Sequence, residues 1–460
     1  MKKYTFLILF FISSIVNADL ISATKNYEEQ NFNEAFNQFM VLAKLGNINA
    51  QHNIAVLYYN GEGTAKDLEK AYAWSVISDS ENDNYQQLTS TIKSKLSKEQ
   101  LESAEVYAIE LEEDYSYENS KLLLGPKTDK ADKDSNIKTK SVEIVKTAAP
   151  YYPRNMLSKG IQGFADIQFY VYPNGSIKDF QVLEEFPSNN EFAREAIKSI
   201  QKYKFRFNPD KSGNYRTEPY LVTQRINFAI SGHEERLHKS QKVVIDKILE
   251  NAKNGDVGSQ YSYAVLYDTL LERKSEIDGG QITDWLFNAS QEGNIDAQFR
   301  LGKKIYYGKD CKIEKQKGVD WVMNSAQIGN VDAQYMAYQM LNNSQLVNQS
   351  GQTAFYWLEQ SALNGLLVAQ LKYSEVIASS DNPTEEQIDL AETFLNKYKD
   401  KLFKTIQWYE VNAMLQNTKG NYSKALKSID TAIKNAKKAE WDLSELNKQK
   451  ELIIKNKNSA

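Results

Sequence analysis

The sequence predicts a mainly α-helical protein, in which solenoid arrays of paired helices flank a small α+β domain. Two observations carry the prediction. Trp285, Trp321 and Trp357 recur every 36 residues, a period typical of repeats built from two antiparallel helices. Residues 164–172 instead alternate apolar and polar side chains, and an Asn-Gly pair follows them, as in a β-hairpin.

The first segment of the chain has the pattern of a secretory signal peptide. Two lysines precede an apolar run over residues 4–16, and Ala18 ends a small-residue cleavage motif. The run is shorter than the roughly twenty apolar residues that a membrane-spanning helix needs. We therefore expect residues 1–18 to be removed on export, and an uncleaved inner-membrane anchor is the alternative.

One helical repeat precedes the α+β domain. Ala50-Gln51 stands 24 residues before Trp74, as a second Ala-Gln pair stands 24 residues before Trp321. Small residues at fixed positions let paired helices approach closely, while each tryptophan fills the space between neighbouring modules. We therefore expect a repeat and a following helix over residues 19–118. A polar linker, residues 119–140, comes next, because it has too little apolar surface to fold.

Residues 141–231 predict a different fold, in the order strand, strand, helix, strand. The turn Pro173-Asn174-Gly175 joins the first two strands, because a type I′ turn needs the positive φ that Asn and Gly tolerate. A helix with the apolar stripe Phe192, Ala196 and Ile200 follows. The sequence therefore predicts a three-stranded antiparallel sheet with one helix on it. The last strand places alternate side chains on one face: Val222, Gln224, Ile226 and Phe228.

Helical repeats resume over residues 241–380. There Gly293, Gly329 and Gly365 each stand four residues before the alanine of an Ala-Gln pair. Residues 381–460 predict a tetratricopeptide-like helical hairpin. A charged helix near the end would supply the polar cap that a solenoid requires.

Composition excludes several classes of function. A formal net charge of -4, with 25% charged residues and no basic stripe, leaves no surface that attracts nucleic acid. Three histidines and one cysteine, Cys311, argue against a metal site. The chain has no known catalytic motif, so we expect no enzyme, no catalytic residue, no cofactor and no small-molecule substrate. Proteins remain as the expected partners, and the oligomeric state stays open.

The repeats resemble the Sel-one-like variant of the tetratricopeptide repeat. The resemblance rests on Ala55-x-x-Tyr58-x-x-Gly61-x-Gly63, on Trp74 and on the 36-residue period. It implies a right-handed helical solenoid that serves protein interaction rather than catalysis.

Residues 141–231 resemble the C-terminal domain of the TonB family. The matching residues include, in order, Pro150-x-Tyr152-Pro153, Pro173-Asn174-Gly175, Tyr203-Lys204-Phe205 and Ile226-x-Phe228. The resemblance implies a periplasmic protein of the Gram-negative envelope, whose last strand pairs with a short peptide of an outer-membrane transporter. It also implies eight partner-binding residues: Tyr152, Pro153, Arg154, Val222, Gln224, Arg225, Ile226 and Phe228.

These resemblances leave three functions open. The first is β-strand addition to an outer-membrane TonB-dependent transporter or another envelope partner, within TonB-dependent transmembrane transport. The second is a periplasmic repeat scaffold or adaptor without energy transduction, in which the last strand is an ordinary sheet edge. The third is an uncleaved, membrane-anchored energy transducer. Transducing family members carry a membrane helix and a proline-rich spacer, whereas this chain has a cleavable signal pattern and only 8 prolines.

Overall fold

The structure is a computed structural model that describes residues 20–78, 83–128, 142–188, 190–209, 217–230, 239–271, 275–343 and 351–460. The predicted signal peptide lies outside the described residues, and so does the second half of the predicted linker. The helices of the first half are α1 Leu20–Glu28, α2 Phe32–Lys44, α3 Ile48–Asn60, α4 Leu68–Ile77, α5 Asp83–Lys93, α6 Lys98–Tyr115, α7 Tyr117–Leu124, α8 Arg154–Ser158 and α9 Glu191–Ile200.

The remaining helices are α10 Lys239–Lys253, α11 Val257–Leu266, α12 Gly279–Gln291, α13 Ile295–Tyr307, α14 Lys315–Ile328, α15 Val331–Asn343, α16 Ala354–Leu363, α17 Leu367–Ala378, α18 Glu385–Lys401, α19 Ile406–Thr418, α20 Tyr422–Lys438 and α21 Ser444–Ser459. A π-helical turn, Tyr267–Leu271, continues α11. The strands are β1 Val142–Lys146, β2 Gly163–Val171, β3 Ile177–Phe186, β4 Lys204–Phe207 and β5 Tyr220–Phe228. The predicted fold class, helical repeats around a small antiparallel sheet, is confirmed.

The chain forms two compact units, and each unit combines two separated stretches of sequence. Unit 1 consists of Met1–Ser135 and Ser240–Gly351. Unit 2 consists of Asn136–Lys239 and Gln352–Ala460. The α+β domain therefore shares a unit with the last helices of the chain, whereas the N-terminal repeat shares a unit with the repeats of α10–α15.

A recurrent hydrogen-bond pattern explains the Gly-Asn and Ala-Gln pairs of the repeats. Gly293 follows the end of α12 and has a φ of 86°, a value at which L side chains are strained. Asn294 then accepts a bond from the Ala297 N–H at 2.9 Å and caps the next helix. The buried Gln298 reaches back, because its Nε2 donates to the Ser290 carbonyl at 3.0 Å.

The same glutamine bond connects successive helices at the other junctions between repeats. It joins Gln51 to Ala43, Gln260 to Ala252, Gln334 to Ala326 and Gln370 to Ala362. In each case the Nε2 of a buried carboxamide donates to a carbonyl near the end of the preceding helix, so this donor and this acceptor are paired without water. The copy at Gln260 keeps this bond although Ser259 replaces the usual alanine.

Unit 1 brings together repeats that lie far apart in the sequence. Asn47 Nδ2 donates to the Gln291 carbonyl at 3.1 Å, and Gln291 Nε2 donates to the Leu45 carbonyl at 3.1 Å. Trp321 Nε1 donates to the Leu124 carbonyl at 2.9 Å. The N-terminal repeat and α7 therefore pack on α12 and α14. The repeats before and after the α+β domain in the sequence are thus in contact within this unit.

Unit 2 contains the predicted sheet, with β2 at its centre. β2 pairs antiparallel with β3 on one side and with β5 on the other. α9 covers one face of the sheet, where Phe192 stacks on Phe228 with ring centroids 4.5 Å apart. The two-stranded sheet of β1 and β4 was not predicted, because the two strands lie far apart in the sequence and no turn joins them, although β4 alternates polar and apolar residues.

No helix of the described residues combines the length and the apolar character that crossing a membrane requires.

The close crossing of α13 and α14 depends on Gly302. A Cβ atom at this position would lie 2.9 Å from the Gly318 carbonyl oxygen and 2.9 Å from Cβ of Trp321. We expect Gly302→Ala to lower the free energy of unfolding of the full chain by about 1–3 kcal/mol, because the helices must separate. Urea denaturation followed by circular dichroism measures the change.

The matched control is Gly258→Ala in α11. There the nearest heavy atom to the new Cβ is Asp256 Oδ1, at 3.7 Å, and the position is exposed. This variant should be neutral or more stable by about 0.5 kcal/mol, since alanine is the better helix former. Equal destabilisation by both substitutions would contradict a packing role for Gly302.

Candidate functional site

β5 forms one edge of the three-stranded sheet. It pairs with β2 from Tyr220 to Phe228, and no other strand of the described residues pairs with it. Main-chain groups of a strand point alternately to its two sides, so half of those in β5 point away from β2. An edge of this kind is a template on which another extended chain can pair.

The structure directs four of the predicted residues toward the α9 face of the sheet. Ile226 and Phe228 are buried there, and Val222 and Gln224 are half-buried. Their side chains therefore support the sheet from within the domain. A partner strand at this edge would meet mainly the backbone of β5, together with the exposed side chains of Thr223 and Asn227 on the other face.

Arg225 lies on that other face and is tied to β2. Its Nε donates to Asp166 Oδ1 at 2.8 Å, and Nη2 donates to Oδ2, so the pair is bidentate. The guanidinium also lies over the ring of Phe164, 4.3 Å from its centroid. Asp166 and Arg225 are direct partners in the register, so the pair stabilises the alignment of β5 on β2.

Tyr152 packs at the end of β5. Its hydroxyl donates to the Ile161 carbonyl at 2.8 Å and lies 3.4 Å from the Phe228 carbonyl oxygen. Its ring meets the rings of Phe192 and Phe228 edge to face, each at a centroid distance of 5.8 Å. Burial raises the pKa of Tyr152, so the phenol stays protonated and keeps its donor.

The two residues after Tyr152 have different surroundings. Pro153 is buried and precedes α8, where its fixed φ suits the start of a helix. Arg154 is exposed on α8. The structure thus brings Tyr152 and Phe228 together, whereas Arg154 extends into solvent. The assignment of all eight residues to partner binding stays a prediction.

The opposite edge strand of the sheet, β3, contacts helices of the same unit near its start. The Asp179 N–H donates to Gln407 Oε1 at 2.9 Å, and Gln407 Nε2 donates to Asp179 Oδ1 at 2.8 Å. Lys372 Nζ of α17 lies 3.3 Å from the same Oδ1. Lys178 Nζ pairs with Glu410 of α19 at 2.7 Å. These contacts satisfy polar groups of β3 that would otherwise face outward.

The charge of Asp179 is stabilised although the side chain is buried. Burial by itself would raise the pKa of Asp179, but the Lys372 charge and the Gln407 hydrogen bond outweigh burial and lower it. Burial and the neighbouring Asp179 charge raise the pKa of Tyr172, whose hydroxyl donates to Asp179 Oδ2 at 3.1 Å. The cluster therefore carries a buried carboxylate at neutral pH.

Sequence reasoning missed this cluster. The only local signal is the charged pair Lys178-Asp179, which interrupts the apolar alternation of β3. Asp179 also adopts φ of 55°, a left-handed conformation that Asp tolerates better than most residues. Its partners Lys372 and Gln407 lie about 200 residues further along the chain, so no local pattern connects them.

A metal centre finds no support in the described part of the chain, which has no cluster of three or more His, Cys, Asp or Glu side chains that could hold an ion.

Two family models match the chain. Residues 148–230 match the C-terminal domain of the Gram-negative bacterial TonB protein. Residues 48–75, 295–322 and 331–366 match the Sel1 repeat. The chain therefore carries a TonB C-terminal domain flanked by Sel1 repeats, as its residues predicted. Both families are protein-interaction domains.

Several solved structures are similar to the chain. A Sel1 repeat protein from Oxalobacter formigenes is 13% identical, covering 83% of this chain and 98% of its own, with a TM-score of 0.31. A protective antigen of uropathogenic Escherichia coli with a Sel1-like repeat fold is 16% identical, covering 94% and 82%, with a TM-score of 0.31. The Pseudomonas aeruginosa TonB C-terminal domain is 28% identical, covering 21% and 95%, with a TM-score of 0.19. Comparison with curated proteins gives no match.

Two adjacent tyrosines allow a direct test of the contact at the end of β5. Tyr152→Phe should lower the free energy of unfolding by about 1 kcal/mol through loss of one hydrogen bond. Tyr152→Ala should lower it by about 3 kcal/mol, since the ring contacts also disappear. Tyr151→Ala is the control, because Tyr151 is 75% exposed, and its effect should stay within about 0.5 kcal/mol. Urea denaturation of the full chain ranks the three variants, and a Tyr151 effect as large as that of Tyr152 would refute the assignment.

The Asp179 cluster predicts a pH dependence. A carboxylate whose folded pKa is lowered adds stability above its unfolded value, near 3.8, and loses it as the pH falls through the folded pKa. Asp179→Asn keeps the shape and tolerates the positive φ, but it leaves Lys372 with a weaker partner. At pH 7 we expect this variant to be less stable than the native chain by about 2 kcal/mol.

The difference between native chain and variant should shrink as the pH falls from 5 to 3, because the unfolded native chain binds a proton at Asp179 there, whereas the folded carboxylate, with its lowered pKa, resists protonation. Urea denaturation at a series of pH values measures it. A difference that is constant over this range would show that the Asp179 charge contributes nothing.

Proposed function

We propose that the chain is a periplasmic protein that binds an outer-membrane TonB-dependent transporter, or another envelope protein, by pairing a strand of the partner with β5. The proposal refines the interaction role that the TonB and Sel1 matches give. The observation that carries it is the asymmetry of the sheet. Among the described strands β5 pairs with β2 alone, whereas β3 contacts α17 and α19 through Lys178 and Asp179.

The contacts of β5 suit strand addition. Arg225 of β5 pairs with Asp166 of β2, and Tyr152 packs on Phe228 of β5, so the edge is ordered before a partner arrives. A preformed edge lowers the entropy cost of binding. Affinity then comes from main-chain hydrogen bonds, and the register comes from side chains beside the edge, such as Thr223 and Asn227.

The covered β3 edge supports a defined stoichiometry. A sheet with two open edges can pair with a partner on both sides and extend into aggregates. With β3 occupied by the helices of its own unit, one partner strand per domain is the expected ratio. In the proposed function, the helices of unit 2 therefore restrict strand pairing to β5 by contacting β3.

A repeat scaffold without energy transduction is the second candidate, and the packing of unit 2 favours it. The α+β domain contacts the C-terminal helical segment at the β2–β3 turn, where the Asp442 N–H, between α20 and α21, donates to the Asn174 carbonyl at 3.2 Å. Lys204 of β4 donates to the Ala439 carbonyl and lies 3.4 Å from Glu440. A domain held in this way serves as a docking module of the scaffold, with the same strand edge as its binding site.

Disulfide trapping tests strand addition in the full chain. Thr223→Cys and Asn227→Cys place thiols on the exposed face of β5, and the transporter peptide carries single cysteines at consecutive positions. Paired strands present side chains to a given face at every second residue, so cross-linking should alternate along the peptide with a period of two. The positions that cross-link best should shift by about four residues between the two variants, in opposite chain direction if the pairing is antiparallel.

Lys202→Cys is the control, because Lys202 is exposed but lies outside the sheet. The native Cys311 does not interfere, since it is buried and burial raises the pKa of its thiol to about 12. Cross-linking without alternation, or equal cross-linking at Lys202, would rule out pairing at β5.

A further inference from the structure

Helix α6 of unit 1 exposes two large apolar side chains on its outer surface. Val106 is 59% exposed and Ile109 is 58% exposed. They are three residues apart, so they are neighbours on the same side of the helix. The opposite side of α6 is buried through Ala104, Ala108 and Leu111.

Carboxylates border this apolar pair. Glu102 stands four residues before Val106, and Glu113 stands four residues after Ile109, so the four side chains form one stripe along three turns. Glu105 and Glu110 lie beside the pair at the same spacing of four from Ile109 and Val106. All four glutamates are exposed.

The charge of α6 is strongly one-sided. The helix has seven acidic residues, and Lys98 at its first position is its only basic residue. Lys98 lies 3.9 Å from Glu102, and both side chains are largely exposed, so the pair is weak. The stripe therefore combines an apolar centre with a negative border, unlike the mixed charges of an ordinary solvated helix face.

The stripe lies on a rigid support. A capping box of Ser97 and Gln100 orders the first turn of α6. The inner side of the helix packs mainly on α4. The apolar pair is therefore held in place and does not need to be ordered by a ligand.

We propose that the outer stripe of α6 binds a basic amphipathic helix of a partner protein. A helix has no free main-chain edge, so recognition at α6 depends on side chains. Two apolar residues of the partner, three or four apart, would pack on Val106 and Ile109, while flanking lysines or arginines pair with the glutamates. The site belongs to unit 1 and is independent of strand addition at β5.

A synthetic 18-residue helical peptide of leucine and lysine, with leucines on one face, serves as the probe for the full mature chain. Binding is measured by fluorescence anisotropy, with a leucine and glutamate peptide as the charge-reversed control. The leucine and lysine peptide should bind at least about tenfold more tightly than the control. Raising the salt from about 50 to about 500 mM should weaken its binding about tenfold.

Two variants locate the site. Val106→Ser with Ile109→Ser removes the apolar centre, and Glu105→Gln with Glu110→Gln removes half of the border. Each should weaken peptide binding about tenfold, because apolar contact and charge both contribute. All substituted positions are exposed, so thermal unfolding should not change, and this measurement confirms that each variant is folded.

Three results would overturn the proposal. Unchanged binding in both variants would place the peptide elsewhere. Weakening by the charge variant alone would show nonspecific attraction to acidic surface rather than helix docking. Dimerisation of the native chain that the serine variant abolishes, measured by light scattering, would identify a second copy of the chain as the occupant.

Discussion

A three-stranded sheet has two edges, and the main-chain groups of both must be satisfied or exposed. In this chain the two edge strands, β3 and β5, have different contacts. In β3 the Asp179 N–H donates to Gln407 and the buried Asp179 carboxylate lies beside Lys372, whereas among the described strands β5 pairs with β2 alone. The contacts of β3 depend on the C-terminal helices, since Lys372 and Gln407 belong to α17 and α19.

The family resemblance predicts a partner-binding site at β5, and the structure shows what the side chains of the predicted residues contact. Arg225 and Tyr152, expected to contact a partner, have contacts inside the domain, to Asp166 and to the Ile161 carbonyl. Ile226 and Phe228 are part of the core. The side chains of these residues therefore stabilise β5 from within the domain. A partner strand at this edge would meet mainly the β5 backbone.

Local patterns predicted the helical repeats and the β2–β3 hairpin, because the 36-residue period and the Asn-Gly pair are local features. The predicted type I′ turn was wrong, since Gly175 has a φ of 79° but Asn174 does not take the positive φ that this turn type needs. They did not predict the grouping of segments into two units. The Asn47 bond to Gln291 and the Asp179 bond to Gln407 each join residues more than 200 positions apart, and such pairings leave no trace in composition or periodicity. The short β1–β4 sheet was missed for a related reason, since its strands are paired by the fold rather than by a turn.

The glutamine of each repeat bonds to the helix directly before it, as Gln260 does to Ala252 and Gln298 to Ser290. The bond thus joins the end of one hairpin to the start of the next, because Gln298 and Gln334 lie in the first helices of the Sel1 copies at residues 295–322 and 331–366. Its two partners stand eight residues apart in every copy, so the bond depends on the short junction and not on the length of the hairpin on either side. Hairpins of different length can therefore follow one another in the array with the same junction between them.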